Sequence, residues 1–176
     1  MTEKIIIAGA GGQGIMILGM VLAEAALREN KFVTWLPSYG AEVRGGTSHC
    51  MIVISDRTIA SPYINQADTL IIMNAPSLER FKKRIKERGL LILNSSLAKQ
   101  DTHKNLITIK YPFTDIAVKL GNIRVANMVA VGCYIKQKKI ADFKSVLETI
   151  KAIAPQDKQA LIEINQRALL EGMKLK

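Results

Sequence analysis

The sequence is poor in cysteine and in aromatic residues, and it has no long apolar run. Its two cysteines, Cys50 and Cys133, lie far apart and neither belongs to a Cys-x-x-Cys pair, so the chain has no ligand set for a metal ion or an iron–sulfur cluster. Both are expected as buried reduced thiols. Aromatics make up 5% of the 176 residues and rarely interleave with the bases, which removes the stacking platform that holds single-stranded nucleic acid; no nucleic-acid partner is expected. No segment approaches the roughly 18 apolar residues of a spanning helix, so no membrane contact is expected. Met1-Thr2-Glu3-Lys4 leads straight into a strand without a signal peptide's architecture, and a cytoplasmic location follows as the expectation. Linker-like tracts, repeats and low-complexity segments are also missing. With 48% hydrophobic residues the chain reads as one domain, 1–176, able to bury one proper core.

What is present begins with charge. The formal net charge is +10, and the densest run, Arg80 to Arg88 (RFKKRIKER), reads as part of a solvated helix over Ser77 to Lys86, with Phe81 and Ile85 turned inward and Gly89 as its stop. Apolar strands are expected at Lys4–Ala8, Phe32–Leu36 (ended by Pro37), His49–Ser55, Thr69–Met73, Leu90–Asn94 and Leu106–Tyr111. Helical patterning covers Ile15–Arg28, begins again near Ile116 and includes Asn127–Lys136, with Asp142 and Asp157 as N-caps of two more helices. The alternation predicts an α/β fold: an open, mostly parallel Rossmann-like sheet with helices on both faces and a helical C-terminal third.

Two segments carry chemistry. In KIIIAGAGGQGI a strand runs into Gly9-x-Gly11-x-x-Gly14, with Gly12 and Gln13 inside the loop and an apolar helix directly after it. That is the setting in which small residues let a phosphate approach the backbone at a helix N-terminus; the alternative is that the glycines serve only close strand–helix packing. A nicotinamide dinucleotide would need an acid about 20 positions on, at the end of the second strand. Leu36-Pro37-Ser38 stands there, which argues against an independent NAD(P)-binding protein. The second segment is Ser38 to Ser48, SYGAEVRGGTS. Arg44 can offer a fork of donors to a phosphate or carboxylate while Gly45 and Gly46 admit backbone amides, or Glu42 and Arg44 form a surface ion pair and the glycines an ordinary turn. His49, next in line, reads as a satisfied structural histidine or a ligand.

Four ordered motifs, Gly9-Ala-Gly-Gly-Gln-Gly-Ile15, Ser38-Tyr-Gly-Ala-Glu-Val-Arg-Gly-Gly-Thr47, Met73-Asn74-x-Pro76-Ser77 and Gly121-Asn-x-x-x-x-Asn127-Met128, resemble the gamma subunit of 2-oxoacid:ferredoxin oxidoreductases over nearly the whole chain. The 2-oxoglutarate type is most similar, with pyruvate, branched-chain and indolepyruvate enzymes as relatives; Ala41 stands where a proline is frequent. The resemblance implies a subunit of an enzyme that oxidatively decarboxylates a 2-oxoacid on thiamine diphosphate, reduces ferredoxin through iron–sulfur clusters and passes the acyl group to coenzyme A. This chain lacks the thiamine and cluster motifs, so thiamine diphosphate, magnesium and the clusters are expected on alpha and beta subunits and on a delta chain or fused domain. No catalytic residue and no metal ligand is assigned here. Gly9, Gly11, Gly12, Gln13, Gly14, Arg44, Gly45, Gly46, Thr47 and Asn74 are the expected coenzyme A contacts, set against a purely structural role for the subunit. Expressed alone, the chain is expected to fold and to be capable of dimerising through a surface that partners otherwise cover.

Overall fold

Ile5, Ile6, Ile7 and Ala8 are apolar in sequence order, the mark of a strand covered on both faces. They form the middle of β1 (Thr2–Ala10) inside a six-stranded sheet. The structure is a computed structural model that describes residues 1–38, 47–99, 105–154 and 159–175. Along the chain β1 is followed by α1 (Ile15–Arg28), β2 (Phe32–Ser38), β3 (Thr47–Ser55), β4 (Ala67–Ile72), α2 (Ala75–Phe81) and β5 (Ile85–Asn94). Then come β6 (Ile107–Tyr111), α3 (Phe113–Lys119), α4 (Ala126–Lys138), α5 (Phe143–Ile153) and α6 (Gln159–Lys174).

The sheet order is β2-β3-β1-β4-β5-β6. β1, β4, β5 and β6 are parallel neighbours, whereas β3 runs antiparallel between β1 and β2. The short connection from Ser38 to Thr47 explains this, because a parallel return needs a crossover of about a dozen residues or more. β2 continues through Pro37 to Ser38; on an edge strand the missing N–H costs little.

Helices cover both faces unequally. Ile5, Ile7, Ile52 and Ile71 meet α1 and α4 on one side, with α5 stacked on α1 and α6 on α4, while Ile6, Ala8, Leu70 and Ile72 meet α2 and Ile64 on the other. Gly132 of α4 and Gly172 of α6 set the first stack. A Cβ on Gly132 would lie 2.1 Å from the Leu169 carbonyl oxygen, and one on Gly172 would lie 2.1 Å from that of Val129. Among the described residues no helix is long and apolar enough to cross a membrane.

One expected element differs. The helix over Ser77 to Lys86 stops at Phe81, passes through a 3-10 turn at Lys82–Arg84, and the chain is already β5 at Ile85. Tertiary anchors override the helical pattern: the Arg84 guanidinium donates to the Ile64 carbonyl and lies 5.4 Å from the Tyr63 ring, and Lys86 pairs with Asp68. Gly89 therefore stops no helix; it sits in β5 after a left-handed Arg88 (φ 60°), where a Cβ would come within 2.6 Å of Ile85 Cγ1. Asp142 does precede α5, although its side chain makes no capping bond. The expected cap at Asp157 lies outside the described residues.

Gly132→Ala should lower stability by about 1–3 kcal/mol, the usual cost of overpacking a rigid contact, measured by urea unfolding. An unchanged midpoint would contradict backbone-to-backbone contact of α4 and α6.

Candidate functional site

The loop after β1 is closed by one side chain. Gln13 Oε1 accepts the Ala10 amide at 2.7 Å, its Nε2 donates to the Met73 carbonyl at 3.3 Å, and its own amide donates to the Ala10 carbonyl at 3.2 Å. The turn is thus tied to the ends of both β1 and β4. Gly9 is buried beneath it, with room for no side chain: a Cβ would lie 2.6 Å from Gln13 Oε1 and from Ile15 Cδ1. Gly12 (φ 88°) and Gly14 (φ 69°) take left-handed conformations that L side chains rarely adopt.

Gly14 is the N-cap of α1, and the Asn127 amide donates to its carbonyl at 3.3 Å. No side chain caps α1 and no acid lies in its first turn. The first amides of a 14-residue helix therefore face the crevice beyond the carboxyl ends of the parallel strands, with the positive end of the helix dipole behind them. Gly11 and Gly12 are exposed, and a Cβ on Gly12 would meet nothing within 4 Å. An anion can approach this backbone closely.

Both sequence segments reach the same edge of the sheet. Ala10 pairs with Thr47, Gly9 with Ser48, and Ser38 with His49, so the connection that bears Arg44, Gly45 and Gly46 leaves and rejoins beside the glycine loop. Those three residues, with Tyr39 and Glu42, lie outside the described residues. Asn74 ends the same edge after β4, and its Oδ1 accepts the Ser77 amide at 3.1 Å as the N-cap of α2. Asn94, which sequence reasoning left at the end of a strand without a role, is fully buried. Its Nδ2 donates to the Met73 carbonyl at 3.1 Å and to Thr114 Oγ1 at 2.9 Å. Asn127 was visible only inside a motif. An asparagine directly after an apolar strand run was the available signal for Asn94; nothing local announced the contact between Asn127 and Gly14.

His49 is buried on the α2 side, its ring 4.8 Å from that of Phe81, and its Nδ1 has no partner among the described residues. Burial, reinforced by the Arg80 and Arg84 charges, lowers its pKa to about 4. The imidazole is therefore neutral near pH 7. Cys50 and Cys133 are both free and buried, and burial pushes each thiol up to about 12, which keeps them protonated and unreactive. No cluster of three or more metal-ligating side chains occurs among the described residues.

An open, mostly parallel sheet with an uncapped glycine-loop helix at its carboxyl edge defines a Rossmann-like α/β protein. The chain belongs to the pyruvate ferredoxin/flavodoxin oxidoreductase family, whose model matches residues 4–175. It is 34% identical over 161 residues to the 2-oxoglutarate synthase subunit KorC of Methanocaldococcus jannaschii, covering 88% of this chain and 85% of that one. It is 35% identical over 170 residues to the ketoisovalerate oxidoreductase subunit VorA of Methanothermobacter thermautotrophicus, covering 96% of this chain but only 35% of the relative. The chain thus spans about a third of the length of the VorA relative. The crystal structure of the keto/oxoacid ferredoxin oxidoreductase gamma subunit from Geobacter sulfurreducens superposes with a TM-score of 0.84 at 28% identity, covering 98% of this chain and 96% of that one. The 2-oxoglutarate:ferredoxin oxidoreductase from Magnetococcus marinus, solved with 2-oxoglutarate, coenzyme A and succinyl-CoA bound, shares the fold with a TM-score of 0.90 at 21% identity, over 99% of this chain and 31% of that one.

The state of His49 has a measurable consequence. Its folded pKa of about 4 lies below the reference value of 6.5, so between those values the unfolded chain holds a proton that the folded chain refuses, and stability falls as pH drops through that window. Urea unfolding from neutral pH down to about 4 should show this slope in the parent and a shallower one in His49→Gln. Equal slopes would contradict a buried neutral imidazole.

Proposed function

We propose that this chain is the gamma subunit of a 2-oxoacid:ferredoxin oxidoreductase in which 2-oxoglutarate and coenzyme A yield succinyl-CoA and carbon dioxide while ferredoxin is reduced, and that its share of the work is to hold coenzyme A. The observation that carries this reading is the bare start of α1. Amides without a side-chain cap, a first turn without an acid and the open face of Gly12 suit the diphosphate of the coenzyme. Gly9 and Gln13 shape the loop rather than face the crevice, so Gln13 is a positioning residue. Gly11, Gly12 and Gly14 present backbone, and Arg44, Gly45, Gly46 and Thr47 supply further donors from the neighbouring connection. Asn74, which follows β4 at the same edge of the sheet, is the remaining contact of this reading.

The bound coenzyme supplies the thiol that takes up the acyl group. Among the described residues nothing fits thiamine diphosphate, magnesium or iron–sulfur clusters: both cysteines are buried, protonated and far apart in sequence, and no metal-ligating cluster occurs. They belong to alpha and beta partners and to a delta chain, in a cytoplasmic complex. The similarity to KorC over most of both chains supports 2-oxoglutarate as the oxoacid; the similarity to VorA makes a branched-chain 2-oxoacid the second reading.

Calorimetry with coenzyme A on the assembled complex tests the role. Gly12→Asp puts a carboxylate at the helix start and Arg44→Ala removes a donor fork, and each should weaken binding by about tenfold or more, or 1.4 kcal/mol. Parental affinity in both variants would leave the subunit a structural one.

A further inference from the structure

The parallel strands have a second pole at their amino ends, separated from the glycine loop by the nine residues of β1, about 30 Å. The chain between α2 and β5 and the end of α4 both arrive there: Ile85 pairs with Ala67 at the start of β4, and Lys138 lies 3.3 Å from Glu3 near the start of β1. The first of these belongs to the densest basic run of the sequence, six bases and one acid between Arg80 and Arg88. Carboxylates beside it are already engaged. Glu3 holds the Thr69 hydroxyl and Lys138, Asp68 holds Lys86 and the Lys4 amide, and Asp56 holds Lys31 and the N-terminal ammonium. Lys83, Arg88, Lys136 and Lys139 are exposed and form no ion pair with any described carboxylate. Two of them sit on fixed backbone: the left-handed Arg88 donates its amide to the Asn105 carbonyl at 2.8 Å, and the left-handed Lys139 donates its amide to that of Ile135 at 2.9 Å.

We propose that this pole is the electrostatic docking surface for the acidic electron-carrier protein that the assembled enzyme reduces. The assignment rests on the ferredoxin-reducing assembly proposed above and not on its coenzyme contacts. Charge decides the kind of partner. Permanent subunit interfaces are apolar at their centre and depleted in lysine, whereas this surface presents free lysines and arginine, with Ile107 beside Arg88 in a hollow of about 520 Å³ as an apolar contact. A surface of that kind steers an oppositely charged protein into encounter and raises its association rate about tenfold or more, without holding it for long. The pole also points away from the carboxyl edge, which in the proposed assembly faces the subunits that carry the acyl group. It is therefore the end left open to a partner that comes and goes. A Debye length of about 10 Å at 0.1 M salt makes the attraction strong at low ionic strength and weak at high.

The test is steady-state reduction of an acidic ferredoxin by the assembled complex at two ionic strengths. The pairs Lys83→Glu with Arg88→Glu and Lys136→Glu with Lys139→Glu should each lower kcat/KM for ferredoxin about fivefold at about 20 mM ionic strength, through KM, and by less than about twofold at about 0.5 M. The KM for coenzyme A, kcat at saturating ferredoxin and the rate with an uncharged quinone dye should stay parental. Lys83→Arg with Arg88→Lys, which keeps both charges, should match the parent. Parental kcat/KM for ferredoxin in either reversal pair would overturn the docking surface, while ferredoxin reduction itself leaves the proposed function standing. A loss independent of salt, or equal with the dye, would overturn it as well. No reduction of ferredoxin by the parental complex would overturn both the surface and the proposed function.

Discussion

The Met73 carbonyl is the point from which the carboxyl edge of the sheet is organised. It accepts one hydrogen bond from Gln13 and another from Asn94, so the loop after β1, the end of β4 and the end of β5 share a single acceptor. Two neutral bonds of this kind are modest in net energy, about 1 kcal/mol each, but leaving a buried amide unsatisfied costs more. The glycine loop is therefore held in one shape. Gly9 must lack a side chain because the Gln13 carboxamide lies over it, and α1 begins where it does because Gly14 turns left-handed under Asn127. A rigid loop holds the uncapped start of α1 in one geometry, so the proposed coenzyme diphosphate would meet its amides without reorganisation.

The rest of the molecule supports that edge without taking part in it. The two glycines between α4 and α6 bring those helices into backbone contact and so fix α4, whose first turn supplies Asn127. At the opposite edge the charges are absorbed locally. Asp56 takes both the N-terminal ammonium and Lys31, which lower its pKa to about 2, and the buried Glu3 accepts the Thr69 hydroxyl at 2.6 Å and pairs with Lys138. The excess of base is thus partly structural. Arg84, in the densest basic run, spends its guanidinium on the Ile64 carbonyl and the Tyr63 ring.

Much of the fold was legible because the periodicity was strong. α1 runs from Ile15 to Arg28 as its apolar stripe predicts, and each expected strand exists within two residues at either end, except that β5 starts at Ile85, five residues before the expected Leu90. Reading failed between Lys82 and Gly89, where Phe81 and Ile85 have helical spacing but contacts distant in sequence, with Ile64, Tyr63 and Asp68, decide the conformation. It also could not foresee that a short connection reverses β3. At the site, the glycines announced themselves because left-handed turns and close approach demand them. The function of Gln13 was not legible, since a glutamine inside a glycine loop looks equally suited to a ligand or to the loop itself. Only the positions of Ala10 and Met73 decide that it braces the turn.

The most direct measurement of the central claim is a structure of the assembled oxidoreductase with coenzyme A bound. The account predicts that the diphosphate oxygens lie within hydrogen-bond distance of the amides from Gly12 to Ile17, with the Gln13 carboxamide still bonded to Ala10 and Met73. A glycine loop covered by a neighbouring polypeptide, with the coenzyme seated elsewhere, would contradict it.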